Sequence, residues 1–263
     1  MPRVVLILAT VLLLTALTEV GGVVLLLAIG VARLLRWRRF ATTGLFLVAY
    51  AAMSAFVVPP LAALAGRVPL SCSGQPLRAL PILCALNRHY VEPKLLMRAT
   101  TLATDLATSF PGSVTVALDA NFPFFDGVPL LPHLSHDDGK KLDLSYFYAD
   151  PSGTYQPAAT RSPIGYWAFE TPASGEATPC PDEWLTTRWD MTWLQPLWSN
   201  LQLEPERTRY ALNWLFDKGE YYGVQRVFLE PYLARRLGVS SPLLGFQGCR
   251  AARHDDHIHL QVS

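Results

Sequence analysis

Val4 to Leu35 carries only two charged residues, Glu19 and Arg33, in an otherwise almost wholly apolar run. About 20 apolar residues cross a bilayer, so the run is long enough with tilt to spare. It is too long for a signal-peptide core and has no clear small-residue cleavage site. A second apolar run extends from Phe40 to Ala65, with Pro59 and Pro60 near its end, where a kink costs least. Between the runs, Arg33, Arg36, Arg38 and Arg39 place four arginines in seven residues. By the positive-inside rule this connector is cytoplasmic. The expectation is a two-helix transmembrane hairpin within residues 1–66, spanning about 4–32 and 40–64. It predicts a multi-pass protein of the cytoplasmic (inner) membrane, with the N-terminus and residues 67–263 on the outer, periplasmic side. The lipid bilayer is then a partner through two helices. Glu19, near the middle of the first span, reads either as part of a proton or ion path or as a tolerated polar residue. Gly21-Gly22 beside it permits close helix packing.

The 263 residues suit one or two domains, and a net charge of +1 lacks the basic footprint of nucleic-acid binding. Hydrophobic residues make up 51% and charged residues 16%, a skew that comes from the first 66 residues. The remainder has the composition of a soluble domain able to bury one core. All four cysteines lie in it: Cys72, Cys84, Cys180 and Cys249. None forms C-x-x-C, which argues against a cysteine zinc site. An outer location favours two disulfides over four buried thiols. Of three connectivities the preferred one is a local Cys72–Cys84 loop with a long Cys180–Cys249 bridge, although sequence does not choose.

Arg67 to Tyr90 reads as an irregular linker. Glu92-Pro93 starts a helix running to about Thr108. Ser113 to Asp119 alternates and is β-branched, hence a strand. Leu142 to Tyr148 and Val224 to Leu229 are further strands, and Glu204-Pro205 to Lys218 and Pro231 to Leu237 are helices closed by Gly219 and Gly238. Asp182 to Leu201 shows an aromatic helical pattern that Pro196 kinks or splits. Asp150 to Pro181 is a long loop whose Tyr166-Trp167-Ala168-Phe169 reads either as a groove wall or as core anchors. The last strand, His257 to Val262, puts His257, His259 and Gln261 on one face. Strands mixed with helices, without βαβ alternation, predict an α+β fold with a small antiparallel sheet and flanking helices. P-loop, dinucleotide, G-x-S-x-G and H-E-x-x-H signatures are absent.

Two stretches concentrate metal-binding chemistry: His136-Asp137-Asp138-Gly139-Lys140-Lys141-Leu142-Asp143 and Asp255-Asp256-His257-Ile258-His259. Imidazoles and carboxylates are zinc donors. Zinc hydrolysis needs three protein ligands, an open position and a nearby base. Asp143 lies on a strand, His136 on the loop before it, and Gly139 lets that loop turn tightly. His133 and His254 read as supporting or surface residues.

His136-x6-Asp143 followed late by His257-x-His259 resembles the superfamily of lysostaphin-type and D-alanyl-D-alanine metallopeptidases, most closely penicillin-insensitive murein endopeptidases. The resemblance covers roughly Ser113 to Val262. It implies Zn2+ held by His136, Asp143 and His259, with His257 touching the water or steadying the oxyanion. Carboxypeptidase relatives carry a glutamate where this chain has Asp256, which makes Asp256 the second candidate for proton handling. The implied function is a membrane-anchored zinc peptidase that hydrolyses amide bonds in peptidoglycan stem peptides or cross-links. The alternative is a non-catalytic zinc-binding or peptidoglycan-binding module of the same fold.

Overall fold

A computed structural model describes residues 2–180, 186 and 188–263. The chain opens with three apolar helical segments: α1 (Pro2–Thr18), α2 (Gly21–Leu34) and α3 (Arg39–Ala52), the last continuing through a π turn (Met53–Val57) into α4 (Val58–Leu64). Pro59 and Pro60 have no N–H to donate, and the widened π turn absorbs the lost helical bonds. Then come β1 (Val68–Pro69), β2 (Leu77–Ala79), α5 (Pro81–Ala85), β3 (Tyr90–Val91), α6 (Pro93–Ser109), β4 (Thr115–Ala117), β5 (Lys141–Ser145) and β6 (Tyr148–Ala149). The chain ends with β7 (Gln202–Leu203), α7 (Pro205–Asp217), β8 (Val224–Phe228), α8 (Pro231–Leu237), β9 (Leu244–Gly245) and β10 (His257–Val262).

The two-helix hairpin is corrected. The first apolar run does not form one span: it reverses at Glu19, whose φ is +62°. Thr18 stops α1 by turning its hydroxyl to accept from the Gly21 amide at 2.8 Å. Glycines permit so tight a reversal, since a Cβ on Gly22 would lie 2.1 Å from the Thr15 hydroxyl. Of the described helices, Phe40–Leu64 is long and apolar enough to cross a membrane, while Arg3–Thr18 and Gly21–Leu34 are shorter. α2 packs against both α1 and α3. The reversal brings Arg3 to the same end as Arg33 and Arg36. Glu19 therefore lies at the opposite end, against the globular part, not mid-span. Its carboxylate accepts from the Phe124 and Phe125 amides, each at 3.1 Å. Tyr50 Oη donates to the Ala85 carbonyl at 2.7 Å, and Asn87 Nδ2 donates to Ser54 Oγ at 3.0 Å.

The globular part is α+β, as expected, but its main sheet is mixed instead of wholly antiparallel. Six strands run in the order β2-β4-β5-β10-β8-β9. The β4-β5, β5-β10 and β10-β8 pairs are antiparallel, and each edge adds a parallel strand. Leu77–Ala79 supplies one edge, so residues 67–90 are not an irregular linker. Short strands and a five-residue helix leave too few repeats there for periodicity to register. The expected helix from Asp182 to Leu201 does not form over its described residues, 186 and 188–201, which hold a single 3-10 turn (Gln195–Leu197); the rest of that stretch lies outside the described residues. Trp198 is held another way, its Nε1 donating to the Trp167 carbonyl at 2.7 Å.

The central strands have two different faces. Leu142 and Leu144 of β5 and Ile258, Leu260 and Val262 of β10 point into the main core. They meet Leu95, Leu102 and Leu106 of α6 and Leu212 and Leu215 of α7 there. The period of two then sends Asp143, His257 and His259 to the other face. Both expected disulfides, Cys72–Cys84 and Cys180–Cys249, are formed.

Candidate metal centre

Register brings two of the expected ligands together. In the β5-β10 ladder His259 stands directly opposite Asp143, so their side chains share a face at close range. His259 Nδ1 lies 2.8 Å from Asp143 Oδ1. The third ligand arrives on the loop before β5. Gly139 makes that loop possible: its φ is +79°, and an added Cβ would meet Arg67 and Glu92 at 3.2 Å. Asn121 fastens it, accepting from the Gly139 amide at 3.0 Å and donating to the Lys141 carbonyl at 2.9 Å.

His136 Nδ1 donates to the Ala120 carbonyl at 2.6 Å. A carbonyl only accepts, so this contact fixes the tautomer and leaves Nε2 with its lone pair. That atom sits 3.2 Å from Asp143 Oδ1 and 3.1 Å from His259 Nδ1. Three potential ligand atoms thus meet at 2.8–3.2 Å. A tetrahedral zinc with donors at about 2.0–2.1 Å would hold them about 3.3–3.4 Å apart, close to this triangle. The donor set, two imidazoles and a carboxylate, suits zinc, and all three residues are buried.

The other Asp143 oxygen is also held. Tyr166 Oη donates to Oδ2 at 2.7 Å, and His133 Nδ1 lies 3.2 Å from it. His133 is buried and bridges to Asp119 at 3.2 Å, while Arg88 grips Asp119 with two bonds of 2.6 and 2.7 Å. Burial opposes the charged form of Asp143, but the imidazoles of His257, His136 and His133 outweigh it and hold its pKa well below the usual carboxylate range. Asp119 is likewise lowered, with Arg88 and His133 overcoming burial.

His257 and Asp256 form a pair. Asp256 Oδ1 lies 2.5 Å from His257 Nδ1, and Asp256 Oδ2 accepts from the Trp167 amide at 2.6 Å. Asp256 is thereby occupied at both oxygens and turned toward the ring. His257 Nε2 is buried without a hydrogen-bond partner and stands 3.6 Å from Asp143 Oδ2. Burial depresses the imidazolium, yet Asp143, Asp256 and Asp119 together raise its pKa to about 9. His259 goes the other way, to about 4, because burial outweighs its bond to Asp143. Two neighbours on one strand are thus driven to opposite protonation states.

His254, read from sequence as a supporting or surface residue, is buried, with its ring 4.9 Å from that of His257 and 5.3 Å from that of His259. Burial and the charges on His257 and His259 push its pKa well below 6.5. Asp255 points away from the donor triangle, to Arg253 and Tyr232. The Tyr166–Phe169 stretch roofs the site. Trp167 takes the left-handed conformation with φ +62°, and its carbonyl accepts from Gln195 Nε2 and Trp198 Nε1, each at 2.7 Å. A narrow void touches His133, Tyr166 and Asp256, and shares Phe169 and Arg253 with a neighbouring cavity of about 400 Å3. His133, three residues before His136, takes the supporting place that the sequence offered as one of its two readings. The contacts of Arg88, Asp119 and Tyr166 with this centre were not foreseen: they come from separate stretches, and no spacing links them to the two motifs.

No protein-family model matches the chain, and no match is found among curated proteins.

Proposed function

We propose that the protein is a zinc-dependent peptidase, tethered by its N-terminal helices to the outer face of a cytoplasmic membrane, that hydrolyses amide bonds in peptidoglycan stem peptides or cross-links. The observation that carries this reading is the convergence of His136 Nε2, Asp143 Oδ1 and His259 Nδ1 beside the unpartnered His257 Nε2. The peptidoglycan substrate follows from the motif resemblance. The outer location is supported by two disulfides in the globular part and by the arginines at the opposite end of the helices.

His136, Asp143 and His259 would hold the metal. When bound, zinc supplies Lewis acidity toward water and a substrate carbonyl. Tyr166 and His133 hold Asp143 in place, and the Ala120 carbonyl holds the His136 ring. Asp256 fixes the His257 ring through Nδ1 and favours its charged form. His257 Nε2 then presents a proton to the oxygen that gains charge as the amide is attacked. In this reading His257 is the catalytic group, and Asp256 acts through it as a positioning residue.

A second reading, a zinc-holding module that binds wall peptides without cutting them, is favoured by the near-complete burial of His136, Asp143 and His257. One experiment separates the two. Full-length protein in detergent is loaded with zinc and incubated with muropeptides, alongside His259→Ala and His257→Ala. Cleavage by the wild type that both changes abolish supports the peptidase. One equivalent of zinc without cleavage supports the module, and no stoichiometric zinc defeats both.

A further inference from the structure

The N-terminal helices carry a feature that anchoring alone does not require. α1 and α3 flank α2, and a groove of about 550 Å3 opens at the end away from the globular part. Its wall is apolar along the helices, with Leu6 and Ile7 from α1 facing Ile29 from α2. Its mouth holds Arg3, Arg33 and Arg36, with Trp37 beside them. Arg33 and Arg36 lie three residues apart, and the reversal at Glu19 brings Arg3 to them from the start of the chain. No carboxylate lines the groove, and the only acid in residues 1–66 is Glu19, at the far end. Among the described ion pairs none involves Arg3, Arg33 or Arg36.

We propose that this groove binds one anionic phospholipid, its phosphate headgroup held by Arg3, Arg33 and Arg36 and an acyl chain laid along Leu6, Ile7 and Ile29. The inference rests on the membrane reading above but not on the peptidase. Charge and shape support it together. Guanidinium forks match phosphate oxygens in pairs. Basic pockets between membrane helices are where acidic headgroups bind. A tryptophan at the mouth suits the headgroup level, where its ring is half in water. A free phosphate would use the arginines but leave the apolar wall without a purpose.

The test uses full-length protein reconstituted in phosphatidylcholine vesicles with and without phosphatidylglycerol, then released and examined by native mass spectrometry. Wild type is expected to retain one phosphatidylglycerol in preference to phosphatidylcholine. Arg33→Gln and Arg36→Gln should each lower the retained fraction about fivefold. Arg38→Gln, outside the groove and equal in charge removed, should leave it unchanged. Equal retention of both lipids by the wild type overturns the groove. So does an equal loss in Arg38→Gln, which would mean diffuse surface charge. Protein that fails to partition into vesicles at all overturns the membrane reading and the groove with it. Binding without muropeptide cleavage leaves the groove standing and counts only against the peptidase.

Discussion

Asp256 and His257 are adjacent in sequence, yet the strand turns them to different jobs. Asp256 closes on the Nδ1 side of the ring at 2.5 Å, which leaves Nε2 as the only ring atom free to meet a reacting group. Asp256→Asn is therefore expected to retain one equivalent of zinc while lowering muropeptide turnover about 10–100-fold, the usual effect of losing a group that orients a site residue. Its pH profile should shift toward acid, because the amide no longer favours the charged ring. Metal analysis and a rate profile check both. Zinc affinity itself should fall as pH drops, beginning above about 6.5, since His136 must lose its proton to ligate and, although burial opposes it, Asp143 holds that imidazole's pKa above its ordinary value. A titration of zinc content against pH tests it. Away from the centre, burial lowers His89 to about 4. Its folded pKa lies below the unfolded value, so the unfolded chain binds a proton that the folded one refuses. Stability that is full above about pH 6.5 is then lost as pH falls toward 4, by of order 3 kcal/mol. Denaturant midpoints at about pH 7.5 and 5 should show the loss, and His89→Gln should flatten the slope.

At the scale of elements, the β5-β10 ladder does most of the assembly. A one-residue slip would move Leu142 and Leu144 out of the core and Asp143 into it. Hydrophobic register and ligand register are therefore the same constraint. The loop before β5 is the second positioning element, and Gly139 is its pivot. Gly139→Ala is expected to cost about 1–3 kcal/mol from the left-handed backbone alone. The loss should exceed that of an exposed control such as Gly153→Ala, also at positive φ but with nothing near its Cβ. Because the loop carries His136, zinc stoichiometry should fall along with the unfolding midpoint.

Over the whole molecule, the globular part and the helices are joined by polar contacts at one end, Glu19 to the Phe124 and Phe125 amides and Tyr50 to Ala85. Those amides lie on the same stretch, 121–141, that delivers His136. Long-range ties then hold the roof. The Cys180–Cys249 bridge closes a sequence separation of 69 residues, for which chain-entropy reasoning gives about 4 kcal/mol. Replacing both cysteines by serine should lower stability by up to that amount. It should also increase protease cutting within residues 169–200, measurable by limited proteolysis.

Local pattern was enough for the apolar N-terminal region, the α6, α7 and α8 helices with their proline starts and the β8 and β10 strands, while the disulfide pairing it preferred needed the fold to select it. It also singled out the five residues of the two motifs, because short spacing and alternation are local properties. It misjudged the first apolar run, since hydropathy counts apolar residues but does not register a turn that Thr18 and two glycines make within four positions. It missed β2, whose three residues become a strand only by pairing with β4. The folded chain alone sets Asp143 opposite His259, Asp256 against the His257 ring, and Arg88, Asp119, His133 and Tyr166 around the centre. Each of those facts depends on contacts between residues far apart in the chain, which strand register and loop path fix and which no local pattern encodes.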